Sequence, residues 1–181
     1  YEDLLTLFPM NSIFPATPKD AVLLSVIGRQ SLIESHGHSA SEKDINHYLD
    51  HNMSEEAYHQ ELTDPENLYH IIYVDGIPAG YSKIILNSPR AEVQQQNITQ
   101  LARIYILKEF YGQDIGKDLF SYILDLSIQN HQAGMWLNVW TENHRAIAFY
   151  KKQGFEIIGR HDFEVSPTHF NPNHVMYLAY V

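Results

Sequence analysis

Residues 104–116 constrain the fold of this chain more than any other stretch, because they change from a strand pattern to a helix pattern across two glycines. The stretch opens with a β-branched and aromatic run, Ile104-Tyr105-Ile106, which predicts a buried strand. Gly112 and Gly116 follow, and apolar residues then recur at helical spacing from Ile115. The first N–H groups of a helix have no partner within the helix, and glycine lets a ligand approach the backbone. The sequence therefore predicts a phosphate-binding cradle at this point.

The composition limits both the partners and the chemistry. The 181 residues are enough for one domain with a full-sized core, and no window is apolar enough to cross a bilayer. The formal net charge of -10 argues against a nucleic-acid partner and suits cationic substrates, although an acidic surface can also serve solubility alone. Cysteine is absent, so disulfides, thiolate metal sites and a cysteine nucleophile are excluded. No signal-peptide pattern is present, and a cytoplasmic protein is expected.

Hydrophobic periodicity and turn signals divide the chain into alternating elements. Asp75-Gly76 is a strong hairpin signal, and Asn143 is a suitable helix N-cap. Residues 1–12 are expected to be an N-terminal arm and residues 13–181 a single domain. Predicted helices begin near residues 17, 41, 54, 116 and 143; predicted strands occupy 13–16, 68–74, 77–86, 98–107, 135–139, 155–165 and 174–181; and two prolines predict a loop at 166–173.

The order of these elements predicts the fold class. A first strand, two or three helices and an antiparallel meander precede a βαβ unit, another helix and two final strands. Antiparallel strands followed by a parallel crossover predict an α/β fold with a mixed, mostly antiparallel sheet and helices on both faces.

Two segments resemble the GCN5-related N-acetyltransferase (GNAT) superfamily. Residues 102–107 with 111–116 are similar to its acetyl-CoA-binding segment, and residues 136–155 are similar to the second half of its fold. The run at 136–140 and the hairpin at 75–81 resemble the polyamine (spermidine/spermine) N-acetyltransferase branch. The resemblance implies a GNAT-like sheet, acetyl-CoA as co-substrate, no metal, and direct transfer of acetyl to an amine. Edge strands of this family often pair between subunits, so a homodimer is a further expectation.

The resemblance also implies where the co-substrate binds. The pantetheine arm would pair like an added strand with the edge at 104–106, and the diphosphate would meet the main-chain N–H groups of 111–117. Ile104 and Ile106 would belong to the core, to the site, or to both, and Asn143 would either contact the co-substrate or serve only as an N-cap. The expected co-substrate contacts are Ile104, Tyr105, Ile106, Tyr111, Gly112, Gln113, Asp114, Ile115, Gly116, Lys117, Asn143 and Tyr150.

The glycine loop departs from the family pattern at two positions. Tyr111 stands where arginine or glutamine is usual, and Asp114 stands where the middle glycine is usual. The Asp114 carboxylate either turns to solvent while its N–H still faces the ligand, or weakens co-substrate binding. Charge-assisted hydrogen bonds, each worth about 1.5–3 kcal/mol, would outweigh one solvent-screened carboxylate, so we expect the first outcome.

Tyr150 is the expected general acid, because the family commonly places a tyrosine at this point of the helix that follows Asn143. A phenol with a pKa near ~10 can protonate a thiolate with a pKa near ~8.5 at a cost of only about 2 kcal/mol. The alternative is a core tyrosine whose hydroxyl is capped by a hydrogen bond.

The general base is less evident from the residues. Ala102 stands where related enzymes often carry an acidic residue, so the candidates are a relayed water, Glu92, His36 and His38. His36 is also a candidate acceptor contact, with a solvated loop histidine as the alternative. Tyr81 is another candidate acceptor contact, with a core aromatic residue as the alternative.

Three functions are consistent with these residues. The first is acetyl transfer to a small primary amine such as a polyamine, and the second is acetylation of protein amines. The third is a non-catalytic acyl-CoA-binding or regulatory module. His161, His169 and His174 show no metal-ligand spacing, so no metal is expected.

Overall fold

The computed structural model describes residues 10–181, in which seven strands form one sheet with the order β1-β2-β3-β4-β5-β7-β6. The strands are β1 (Asn11–Pro15), β2 (Asn67–Val74), β3 (Ile77–Ile85), β4 (Thr99–Ile106), β5 (Gly134–Trp140), β6 (Glu156–Ser166) and β7 (His169–Ala179). Every neighbouring pair is antiparallel except β4 and β5. The predicted mixed, mostly antiparallel sheet is therefore confirmed.

Helices cover both faces of this sheet. They are α1 (Ala21–His36), α2 (Glu42–Asn52), α3 (Glu55–Thr63), α4 (Ile115–Gln129) and α5 (His144–Lys152). Ile71 belongs to the core cluster of α1–α3, whereas the next residue, Ile72, packs with Leu119 of α4. Because successive strand residues point to opposite faces, α1–α3 cover one face and α4 covers the other. Tyr150 of α5 belongs to a second cluster with α4, so α5 lies on the same face as α4.

Local sequence signals determine where several elements begin. Ser41, Ser54 and Asn143 each accept a hydrogen bond from the backbone N–H three residues later, at 3.1–3.2 Å. Each is the N-cap of a helix that the sequence predicts. Asp75 and Gly76 have φ values of 50° and 80°, the left-handed pair that a tight turn between β2 and β3 requires.

β4 and β5 are hydrogen-bonded only where they begin. Their parallel register pairs residues 99–100 with residues 135–136 and ends there. Residues 101–106 of β4 and 137–140 of β5 continue without a partner across the gap. The two strands therefore separate, which exposes main-chain N–H and C=O groups in the middle of the sheet.

The predicted start of the first strand, at residue 13, is wrong. β1 begins at Asn11, inside the predicted arm at 1–12, because Asn11 and Ser12 pair with Val74 and Tyr73 of β2. Residues 1–9 of that arm lie outside the described residues.

The predicted loop at 166–173 is also wrong. β6 and β7 are joined by a turn at Pro167-Thr168, and Pro172 lies within β7. The Pro172 carbonyl accepts a hydrogen bond from the Thr141 N–H at 3.0 Å, just beyond the end of β5. The N–H and C=O of one strand residue point to the same side, so the missing N–H of Pro172 falls where no strand needs it.

Candidate active site

A cavity of about 350 Å³ lies in the gap between β4 and β5. Residues 101–106 of β4 and 137–140 of β5 line it without interruption, although successive strand residues point to opposite faces. Side chains of α5 line it from one face, and side chains of α1 and α2 line it from the other. The cavity therefore passes through the sheet, and its volume falls in the range of roughly 300–1,000 Å³ that small-molecule sites occupy.

The cavity brings together many of the side chains expected at the site. Of the expected residues, Ile104, Tyr105, Ile106, Tyr111, Gly116, Asn143, Tyr150 and His36 line it. Gly112, Gln113, Asp114, Ile115 and Lys117 belong to the adjoining loop and helix start. The Ile115 side chain packs in the core with Leu119, so only its main chain can meet a ligand.

The glycine loop presents a row of free main-chain N–H groups. Among residues 10–181, the N–H groups of residues 112–117 have no hydrogen-bond acceptor. The Tyr111 N–H differs, because it donates to the Lys108 carbonyl at 3.1 Å. Gly112 and Asp114 have φ values of 77° and 59°, and left-handed residues beside a helix start arrange successive N–H groups into a concave anion site.

The side chains of the loop leave this N–H row open. The Asp114 side chain is exposed and makes no capping hydrogen bond to the described residues. A Cβ atom placed on Gly116 would meet Ile106 at 3.5 Å, an ordinary contact, so packing does not require glycine there. A glycine that costs helix stability without a packing reason fits a position kept free for a ligand.

Arg145 brings a cation to the glycine loop, and the sequence pattern does not predict this role for it. Its guanidinium carbon lies 3.7 Å from the centroid of the Tyr111 ring, and both residues line the cavity. A guanidinium stacked on an aromatic ring keeps its N–H donors free at the ring's edge. The only sequence signal for this role is a basic residue in the first turn of α5, where a cation opposes the helix dipole.

Tyr150 is buried but its hydroxyl is not capped. The residue is 7% exposed and lines the cavity, and its hydroxyl makes no hydrogen bond to any of residues 10–181. Burial raises the pKa of the phenol, so Tyr150 keeps its proton at neutral pH. A buried tyrosine without a protein partner differs from the capped core tyrosine that was the alternative. On the same helix, Asn143 Oδ1 accepts the capping N–H of Ala146, which leaves Asn143 Nδ2 available.

Tyr81 does not reach the cavity. Its side chain is fully buried among α1–α3, and its hydroxyl lies 2.7 Å from the Tyr58 hydroxyl. The core alternative describes its surroundings, and the expectation of an acceptor contact is not supported by this position.

His36 of α1 lines the cavity from the face opposite Tyr150 and lies among aromatic rings. Its ring centroid lies 5.9 Å from that of Trp140 and 6.1 Å from that of Tyr105. Burial, together with the neighbouring His38, lowers the pKa of His36 to about 4. The imidazole is therefore neutral at physiological pH but is a weak base.

No carboxylate among residues 10–181 lines the cavity. Glu92, a candidate base from the sequence, pairs instead with Arg90 at 2.8 Å in the loop before β4. In the described part of the chain, no group of three or more histidine, aspartate or glutamate side chains is arranged to hold a metal ion. No helix in that part is long and apolar enough to cross a membrane.

A splayed pair of parallel strands, a helix-start anion site and a cavity that passes through the sheet define an acyl-CoA-dependent transferase. The acetyltransferase (GNAT) family profile matches residues 32–155, and this chain belongs to that family. It is an N-acetyltransferase that uses acetyl-CoA, as its relatives do.

Relatives and solved structures agree with this assignment. An uncharacterized N-acetyltransferase of Lactobacillus delbrueckii subsp. lactis is 27% identical over 151 residues, which cover 83% of this chain and 87% of that protein. A Bacillus subtilis protein named, provisionally, as a ribosomal protein bS18 alanine N-acetyltransferase is 32% identical over 99 residues, 55% of this chain and 60% of that protein. The crystal structure of PaiA N-acetyltransferase from Thermoplasma acidophilum with coenzyme A has a TM-score of 0.75 at 19% identity, covering 94% of this chain and 99% of that one.

Proposed function

We propose that this chain transfers the acetyl group of acetyl-CoA to the primary amine of a small acceptor, with Tyr150 as the general acid. We also propose that residues 13–181, together with Asn11 and Ser12 of β1, form a single domain. The observation that carries the proposed transfer is Tyr150, which lines the cavity and whose hydroxyl makes no hydrogen bond to residues 10–181. A donor at a cavity that the fold leaves unpaired is available to a reacting atom.

The residues of the gap fit the co-substrate. The N–H groups of residues 112–117 and the Arg145 guanidinium offer donors to a diphosphate. The unpaired edge at 104–106 offers main-chain groups to the amides of the pantetheine arm. Oδ1 of Asn143 caps α5, and its Nδ2 group is free to donate to the co-substrate. Both roles proposed for Asn143 are therefore compatible.

Tyr150 would act where negative charge develops on the departing sulfur. Acetyl-CoA supplies the acetyl group as a thioester and, after transfer, leaves as a thiol. Because burial raises the pKa of Tyr150, the phenol is a weaker acid than in water. Donation remains effective because the same cavity desolvates the thiolate and raises its proton affinity as well.

The amine must lose its proton without help from a carboxylate. Deprotonating an alkylammonium with a pKa near ~10.4 costs about 4–5 kcal/mol at neutral pH. No carboxylate of residues 10–181 lines the cavity, and burial lowers the pKa of His36 to about 4. We therefore propose that the proton leaves to solvent through a relayed water and that the acceptor reacts as the neutral amine.

Two narrower acceptors follow from the sequence and the relatives. The net charge of -10 suits a polyamine, and the name of the Bacillus subtilis relative suggests a protein α-amine.

A cytoplasmic location, which the absence of cysteine suits, belongs to the same proposal. So does a homodimer, since β1 and β6 are the two sheet edges through which a second copy could pair.

Thermal unfolding with CoA or acetyl-CoA, followed by thiol release with a panel of amines, tests the proposal. A ligand at 100 times its Kd stabilises a protein by about 2.7 kcal/mol, which a melting curve resolves. The chain has no cysteine, so a thiol reagent reports free CoA without background from the protein. We expect stabilisation by both ligands and amine-dependent thiol release. Stabilisation without release from any amine would favour the non-catalytic module, and no stabilisation would contradict the co-substrate site.

A further inference from the structure

The β6–β7 hairpin lines the cavity on the α1–α2 face. Ser166 Oγ donates to Asp44 Oδ1 of α2 at 2.6 Å, and Asn171 Nδ2 donates to Ser39 Oγ at 2.9 Å. These hydrogen bonds join the hairpin to α2 and to the segment between α1 and α2. Because these hydrogen bonds bridge the two walls of this end, they narrow the groove that an extended peptide would need. This end of the cavity, called the acceptor end below, therefore suits a compact molecule.

Aromatic rings dominate the acceptor end. The ring centroids of Tyr48 and Phe163 lie 5.5 Å apart, and those of His36 and Trp140 lie 5.9 Å apart. All four residues line the cavity, and none of the lining side chains among residues 10–181 is a carboxylate. A polycation that enters a cavity needs carboxylates to replace its hydration, because a buried charge without a partner is costly. The rings would instead pack against an uncharged body.

The charged side chain that lines the cavity on the α1–α2 face is a cation. Arg103 lines the cavity with a side chain that is 11% exposed, and it shares the Glu61 carboxylate with Lys83, at 3.5 Å and 2.6 Å respectively. Asp64 also acts electrostatically on Lys83, so the cluster as a whole is close to neutral. Arg103 is its one member among residues 10–181 that lines the cavity. A like charge disfavours a second ammonium group on the acceptor. The nearby Arg103 guanidinium also favours the neutral form of a single amine.

Asn138 supplies a hydrogen-bond acceptor for one amine. It lies on β5 at the gap and lines the cavity, and its buried Oδ1 has no partner among residues 10–181. An amide oxygen accepts an N–H but does not take up a proton. Asn138 would therefore orient an amine without acting as its base.

We propose that the acceptor is a small monoamine with an uncharged aromatic or apolar body. Its amine N–H donates to Asn138 Oδ1, and its body packs against Tyr48, Trp140 and Phe163. The proposal rests on the acetyl transfer proposed above and names the substrate class of the same site.

The direct test compares 2-phenylethylamine with spermidine on the unmodified protein, at saturating acetyl-CoA, by thiol release. Both carry strongly basic primary amines, so their different bodies decide the outcome. We expect kcat/KM to be higher for 2-phenylethylamine by about tenfold or more, the factor that one or two apolar contacts provide. An equal or higher kcat/KM for spermidine overturns the proposal.

A charge introduced at Asn138 provides the matched test. Asn138→Asp places a carboxylate at the amine, and we expect the preference for 2-phenylethylamine over spermidine to fall by about tenfold, mainly through a lower KM for spermidine. Gln129→Glu adds the same charge on an exposed residue of α4 and leaves the preference unchanged. Stabilisation by CoA shows that each variant is folded. An unchanged preference in folded Asn138→Asp overturns the assignment of Asn138.

The two proposals fail in different ways. Absence of thiol release with every amine overturns the proposed function, and the acceptor class with it. Release with spermidine and none with 2-phenylethylamine overturns the acceptor class alone.

Discussion

The guanidinium carbon of Arg145 lies 3.7 Å from the centroid of the Tyr111 ring, so α5 brings a cation to the glycine loop from 34 residues further along the chain. Tyr111 is the position at which the family usually has arginine or glutamine. The stack therefore brings to this position, from another helix, the cation that Tyr111 does not supply.

Arg145→Gln should weaken CoA binding by about tenfold, or about 1.4 kcal/mol, because a charge-assisted contact to phosphate is lost. The salt dependence of binding should also become shallower, since one fewer cation is screened. Titration calorimetry with CoA at two ionic strengths measures both effects. Lys151→Gln, on the exposed side of the same helix, is the control and should change neither. Equal binding by the two variants would remove Arg145 from the site.

The fold is easier to predict from the sequence than the site, because the fold depends more on local signals. Helix starts at Ser41, Ser54 and Asn143 and the turn at Asp75-Gly76 depend on residues within a few positions of each other. Such local signals are visible in a single sequence. The early start of β7 is not visible in the sequence, because it depends on a neighbouring strand. Pro172 is tolerated in β7 only because β5 has ended at that point.

One part of the candidate site also depends on local sequence, and the other part depends on distant segments. The free N–H row at 112–117 follows from a helix start and two positive φ angles. Local sequence predicts the helix start and the glycine at 112, but not the left-handed conformation of Asp114. The acceptor end is assembled from α1, α2, β5 and the β6–β7 hairpin, and no spacing rule relates such distant segments. Tyr81 and Glu92 illustrate the difficulty, since a tertiary contact with Tyr58 and a local ion pair with Arg90 hold them away from the cavity.

Asp114→Gly should leave CoA binding equal or make it tighter. Asp114 has a φ of 59°, which glycine adopts without strain, and its exposed carboxylate makes no capping hydrogen bond to the described residues. Removing a negative charge beside a phosphate can only favour binding unless the carboxylate itself contacts the ligand. Titration calorimetry measures the change, and Asp125→Asn, exposed on the same helix, controls for net charge. Clearly weaker binding by Asp114→Gly alone would show that the carboxylate has a positive role.

Tyr150→Phe should lower turnover by roughly 10²–10⁴-fold and leave CoA affinity nearly unchanged, because it removes a proton donor and keeps the ring. The hydroxyl has no hydrogen bond to residues 10–181, so its loss should also cost little stability. Thiol release at saturating substrates and CoA-dependent melting separate the two effects. Tyr122→Phe, on a half-buried residue of α4 that does not line the cavity, should retain full turnover. A normal rate for Tyr150→Phe would exclude the phenol as the general acid.

His36 should make the fold sensitive to mild acid. The pKa of a histidine in the unfolded chain is about 6.5, whereas burial and the neighbouring His38 lower the pKa of His36 to about 4. Between these values the unfolded chain binds a proton that the folded chain does not, so the free energy of unfolding decreases as pH falls from about 6.5 to 4. Above pH 6.5 the imidazole is neutral in both states and the stability is fully present. The expected loss is of order 1–3 kcal/mol, since His36 keeps some contact with solvent.

Urea unfolding of His36→Gln between pH 4 and 7 measures this contribution. The variant should lose less stability than the unmodified protein as pH falls, because glutamine stays neutral in both states. Carboxylates that titrate in the same range are common to both proteins and cancel in the difference. His59→Gln, on an exposed residue of α3, should retain the original pH dependence. Parallel curves for His36→Gln and the unmodified protein would mean that the imidazole is solvated, and the neutral aromatic wall of the acceptor end would lose one of its members.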